Sequence, residues 1–174
     1  MKKISAYEIA LSALACALSA ILLTVGSYVE ILLFTGYLFG SIALTLPLVK
    51  KSYVGYALAY VGTCVIAFIF NPAGIFNLLP FVMFFGLHPL VNELQLKSKI
   101  NRWLACAIKA LWFDITMFVI WKFVFGGVTA IPFVDKYILP ILLVFGSAFF
   151  GFYDYTMYKG RAIVWSLTQR FGRK

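Results

Sequence analysis

Six apolar runs divide this chain, at 7–25, 31–49, 53–70, 76–94, 103–125 and 137–158, with polar, charged or helix-breaking residues between them. Crossing the hydrocarbon of a bilayer takes roughly 20 residues of α-helix, so each run is predicted to be one span. The gaps differ in kind. They are Gly26-Ser27-Tyr28-Val29-Glu30, then Lys50-Lys51, then Asn71-Pro72-Ala73-Gly74, then 95–102 with Lys97, Lys99 and Arg102, then 126–136. The pattern predicts an all-α membrane protein with six transmembrane helices.

Basic residues near span ends resist translocation, so their distribution sets sidedness. Lys2, Lys3, Lys50, Lys51, Lys97, Lys99, Arg102, Lys159, Arg161, Arg170, Arg173 and Lys174 fall on one side, and only Lys136 falls on the other. Both termini are therefore expected in the cytoplasm (N-in, C-in), in a cell (plasma) membrane, and Lys2 and Lys3 are expected to precede a retained first span. Two regions follow: a transmembrane domain over 1–158 and a basic cytoplasmic tail over 159–174. In the tail Ile163, Val164, Leu167 and Phe171 share one helical face, with Arg161, Gln169 and Arg170 largely elsewhere. That is the pattern of an amphipathic helix lying in the membrane interface.

Composition narrows the field. The 174 residues are 63% hydrophobic and 12% charged, where a soluble domain carries roughly 25% charged residues. Six spans leave no room for a separate soluble catalytic domain. The net charge of +9 flanks apolar runs, where orientation and anionic lipid explain it, so no nucleic acid partner is expected. Cys16, Cys64 and Cys106 lie inside apolar runs and read as packing residues. No catalytic motif and no nucleotide-binding G-x-x-x-x-G-K-[ST] loop is present, so neither enzyme activity nor a cofactor is expected.

Ionisable groups inside spans cost several kcal/mol unless paired or wet, so each is a candidate. In the inner half, Lys109 and Asp154 stand at matching depth in the fifth and sixth runs. His88 and Glu93 come from the fourth, with Asn92 beside them and Glu8 entering from the first. Two readings stay open: a proton relay or binding site, or a Lys109–Asp154 ion pair fixing helix register with Glu93 and Glu8 in the wet headgroup layer. His88 precedes Pro89, which suits a ring bonding backbone carbonyls freed by the proline. One histidine without ligand partners predicts no metal.

A second set belongs to the outer half: Tyr28 and Glu30 in the first gap, Asn77 near the third, and Asp114, Trp121 and Lys122 along the fifth run. Asp114, Phe118 and Trp121 share one face, and an aromatic wall with charged anchors suits a small polar ligand. The alternative is that Lys122 snorkels and Trp121 joins the interfacial belt. In the first run Ala10, Ala13, Ala17 and Ala20 form a small-residue stripe beside Ser12, Cys16 and Ser19. Such a stripe lets a helix approach, from within the bundle or from a second protein. The residues alone also fit a non-catalytic structural or regulatory membrane protein that binds other membrane proteins or anionic lipid.

The whole chain resembles the substrate-binding S components of energy-coupling factor vitamin transporters. The resemblance rests on its length, six spans, cytoplasmic ends and an Ala-x-x-x-Ala motif at Ala13-Leu14-Ala15-Cys16-Ala17. Thr35-Gly36-Tyr37-Leu38-Phe39-Gly40, the Gly55 to Gly62 run and Phe84-Phe85-Gly86-Leu87 also look like that family. It implies capture of a vitamin or similar small molecule from outside, with the outer set as binding residues. It implies docking through Ala13 and Ala17 on a coupling transmembrane subunit served by separate ATPase subunits.

Overall fold

The computed structural model of the chain describes residues 5–129 and 131–171, without the side chains of Glu30, Ala73 and Phe171. The described chain is all-helical, 87% helix with no strands. Six helices are long and apolar enough to cross a membrane: α1 (Ala6–Tyr28), α2 (Leu33–Lys50), α3 (Tyr53–Phe70), α4 (Ile75–Lys97), α5 (Arg102–Val124) and α6 (Ile138–Arg170). A short helix, Pro132–Lys136, precedes α6.

The first five helices match the expected spans to within three residues at each end. The sixth does not stop at 158. It continues for 33 residues, about 50 Å at the usual helical rise. Gly160, inside this helix, packs closely against α2. A Cβ there would lie 2.7 Å from Ile42 Cδ1. Of the tail face expected to lie in the interface, Ile163 and Leu167 are exposed while Val164 is half-buried beside the buried Thr168. Phe171's side chain, and Lys2, Lys3, Arg173 and Lys174, lie outside the described residues.

The chain forms two compact units, Met1–Leu94 with Met157–Lys174, and Gln95–Thr156. In the first unit, α1 begins with a reciprocal cap. Glu8 N donates to Ser5 Oγ at 3.2 Å and Ser5 N donates to Glu8 Oε2 at 3.0 Å. These bonds satisfy two of the donors that a helix start leaves open. Glu8, expected beside the inner polar cluster, caps α1 instead.

Close helix approach then depends on small residues, because lipid removes most of the hydrophobic drive between helices. Ser12, Ala15, Ser19 and Gly26 on α1 are buried, and Ser19 Oγ donates to Gly40 O at 2.7 Å. At Gly36 a Cβ would stand 2.7 Å from Leu22 O, so α2 meets backbone that cannot yield cheaply.

In the second unit, Asn101 Oδ1 accepts from Trp103 N at 2.9 Å and caps the start of α5. The end of α5 is closed by Gly126 and Gly127, at φ 67° and 75°. That left-handed backbone is open to glycine without steric cost. Three π-helical turns interrupt the helices: Phe81–Phe85 in α4, Ile120–Val124 in α5 and Leu142–Gly146 in α6. Such turns recur at functional positions.

Candidate functional site

In the first unit the interruption of α4 is fully accounted for by its neighbours. The π-turn sends Gly86 N to Phe81 O at 2.7 Å, so Val82 O loses its usual donor four residues on. Tyr60 Oη donates to Val82 O at 2.6 Å. Pro89 has no N–H for Phe85 O, and Ser41 Oγ reaches that oxygen at 2.7 Å, also lying 2.7 Å from its own Tyr37 O. Leu90 N turns to Leu87 O at 3.1 Å, and Tyr56 Oη donates to Gly86 O. Phe81 N turns to Leu78 O, and Tyr37 Oη donates to Asn77 O. Four hydroxyls from α2 and α3 therefore meet four carbonyls that the broken helix frees. This matters where no water reaches, since a buried unpaired carbonyl costs about 1–3 kcal/mol.

His88 was expected to bond carbonyls freed by the proline. The hydroxyls of Ser41 and Tyr56 do so at Phe85 and Gly86, while the His88 ring is fully buried with its centroid 5.4 Å from that of Phe84. Glu93, buried on α4, accepts from Arg161 Nε at 3.1 Å and Nη2 at 2.7 Å. Arg161 also stacks over Trp165, 4.6 Å from the ring centroid. Arg161 escaped the sequence reading because it was assigned to a separate tail.

The outer-set residues of this unit are spread out. Tyr28 is exposed and its Oη donates to Phe70 O at 2.6 Å. Asn77 contributes its backbone carbonyl to Tyr37. Glu30 lies in a 3-10 turn, Glu30–Leu32, and its side chain lies outside the described residues. Asn71 is buried, donating from Nδ2 to Ser27 Oγ at 2.9 Å and accepting from Gly74 N at 3.0 Å.

In the second unit, Lys109 with Asp154 and Asp114 with Ser147 form polar pairs between α5 and α6. Lys109 Nζ donates to Asp154 Oδ1 at 2.6 Å, with 5% and 23% of the two side chains exposed. The two residues placed at matching depth thus meet. Asp114, also buried, accepts from Ser147 Oγ at 2.9 Å through Oδ2. Its other oxygen, Oδ1, is buried and has no hydrogen-bond partner among the described residues. Oδ1 rests against Gly146, where a Cβ would lie 2.5 Å from it. Along the same face, the Phe118 and Trp121 ring centroids are 5.6 Å apart. Trp121 Nε1 is likewise buried with no partner among the described residues. Lys122 is exposed, its Nζ 5.9 Å from the Trp121 ring centroid.

Of the inner set, His88 and Glu93 belong to the first unit and Lys109 and Asp154 to the second. Of the outer set, Tyr28, Glu30 and Asn77 belong to the first and Asp114, Trp121 and Lys122 to the second. Sequence reasoning missed Gly146 and Ser147, although a signal existed. From the Lys109–Asp154 pair, one and a half turns along α5 reaches Asp114 and about two turns back along antiparallel α6 reaches Ser147. Among the described residues no group of three or more His, Cys, Asp or Glu side chains could hold a metal ion.

Fold and site together define a class: an all-helical protein with six helices of a length and apolarity that suit a membrane, carrying paired ionisable groups along them. No family model, no curated protein and no solved structure matches the chain.

Proposed function

We propose that this protein is the substrate-capture subunit of an energy-coupling factor type importer. In this reading it sits in the plasma membrane with both termini cytoplasmic. It takes a vitamin or similar small molecule from outside and docks on a coupling subunit that works with separate ATPases. The observation that carries the reading is the division of α1 into two small-residue faces. Ser12, Ala15, Ser19 and Ala20 are buried, whereas Ala10, Ala13 and Ala17 are exposed between Ile9, Leu14, Leu18 and Ile21, which are exposed as well. The internal packing surface of α1 is thus already supplied by other residues. A smooth exposed strip with flanking aliphatic ridges suits a second helix, because small side chains let backbones approach closely. On the ligand side, the reading is supported by the aromatic face of Phe118 and Trp121 next to Asp114.

Ala13→Trp and Ala17→Trp test the docking step. Each is expected to abolish copurification with a coupling subunit while leaving the unfolding midpoint of the isolated chain unchanged, since both positions are exposed. Assembly and uptake that survive both changes would overturn the reading and leave a scaffold that binds lipid or other helices.

A further inference from the structure

We infer that Asp114 and Ser147 form a binding site for a single positively charged group in the middle of the second unit. The inference does not depend on docking by α1.

Asp114 is 5% exposed, and among the described residues its two carboxyl oxygens share one hydrogen bond. Ser147 Oγ lies 2.9 Å from Oδ2, and Oδ1 has no partner among the described residues. A buried carboxylate with one hydroxyl for company costs several kcal/mol unless a positive charge joins it. Arg102 opens α5 about three turns from Asp114, and the other two basic side chains along α5 are placed elsewhere. Lys109 Nζ is 2.6 Å from Asp154 Oδ1, and Lys122 Nζ lies over Trp121, at 5.9 Å. A proton on Oδ2, donated to Ser147 Oγ, would still leave Oδ1 without a donor.

The surroundings suit an added cation rather than a missing helix contact. Gly146 removes the side chain that would otherwise lie 2.5 Å from Oδ1. It closes the π-turn Leu142–Gly146, where the widened helical bonding pattern interrupts the regular α6 ladder. Interrupted helices are one way in which helical membrane proteins hold cations. Phe118 and Trp121 lie one and two turns along α5, their ring centroids 5.6 Å apart. The shared chemistry is one positive charge that oxygen ligands or hydrogen-bond acceptors can hold. Its source is a free alkali ion or the ammonium end of an organic ligand.

Thermal unfolding of the full chain in nanodiscs, at constant ionic strength, separates the sources. Sodium, potassium and ethylammonium chlorides are titrated against tetramethylammonium chloride, whose cation is bulky and has no N–H. A rise in the midpoint of roughly 5 °C at saturation is expected with an alkali ion if the source is free, or with ethylammonium if it is a ligand's amine. Asp114→Asn should abolish the rise, and Asp135→Asn, on the short helix before α6, should leave it intact. Should Asp114→Asn fail to fold, Ser147→Ala serves instead, with the half-saturating concentration raised about tenfold. No response beyond that of tetramethylammonium overturns the site. So does an equal response of wild type and Asp114→Asn, or stability that follows pH alone, which would mean that the carboxyl group holds a proton.

Discussion

The π-turns of α4 and α6 interrupt their helices in the same way, yet the first is ringed by hydroxyl donors and the second faces a carboxyl group. Around Phe81–Phe85, Tyr37, Ser41, Tyr56 and Tyr60 each meet one freed carbonyl. Around Leu142–Gly146, Asp114 brings two acceptor oxygens, and only Oδ2 has a donor. Surplus acceptors beside one break and matched donors beside the other are opposite solutions to the same backbone problem. The matched break makes a fixed core. The unmatched one leaves binding capacity unused, which is where a ligand gains most.

The sharpest way to break the comparison is to disturb the Lys109–Asp154 pair of the second unit. Lys109→Met strands the Asp154 carboxylate and is expected to lower stability by about 3 kcal/mol. The double change Lys109→Met with Asp154→Leu should recover most of that in chemical unfolding. If the single and double variants are equally destabilised, the pair is not what holds α5 to α6. Next comes overpacking in the first unit: Gly36→Val forces a side chain toward Leu22 O and should cost about 2–3 kcal/mol by the same measurement. The hydroxyls follow, since Tyr56→Phe and Tyr60→Phe each leave a buried carbonyl without its donor, for about 1 kcal/mol apiece. Values near zero for both would mean that α4 does not need its ring of donors. The smallest effect belongs to Tyr28→Phe, whose exposed bond to Phe70 O should contribute only about 0.5 kcal/mol.

The six helices were legible because apolar length is a strong signal, and Lys109 with Asp154 because depth along two antiparallel helices can be counted from either end. The π-turns were not legible. Over five residues, periods of 3.6 and about 4.4 residues place apolar side chains almost alike. The donors of α2 and α3 were hidden for another reason: tyrosine and serine inside an apolar run look like aromatic bulk and small packing residues. Glu93 proves buried, where its reading had been open between a buried cluster and the wet headgroup layer. Its partner Arg161 was not foreseen, because it was assigned to a basic tail separate from the spans. The alanine stripe was read as one surface, whereas the helix turns Ala20 inward and leaves Ala13 and Ala17 out.

The ring of hydroxyls around α4 also bears on how the chain is made. Tyr37, Ser41, Tyr56 and Tyr60 all precede α4 in the sequence, so a ribosome delivers every donor before the carbonyls that need them. A helix with two prolines and a π-turn inserts poorly alone, and this one emerges beside partners already synthesised. The order of the segments thereby acts as a built-in assembly schedule. A rearranged gene that places α4 ahead of α2 and α3 would encode the same contacts and lose that schedule.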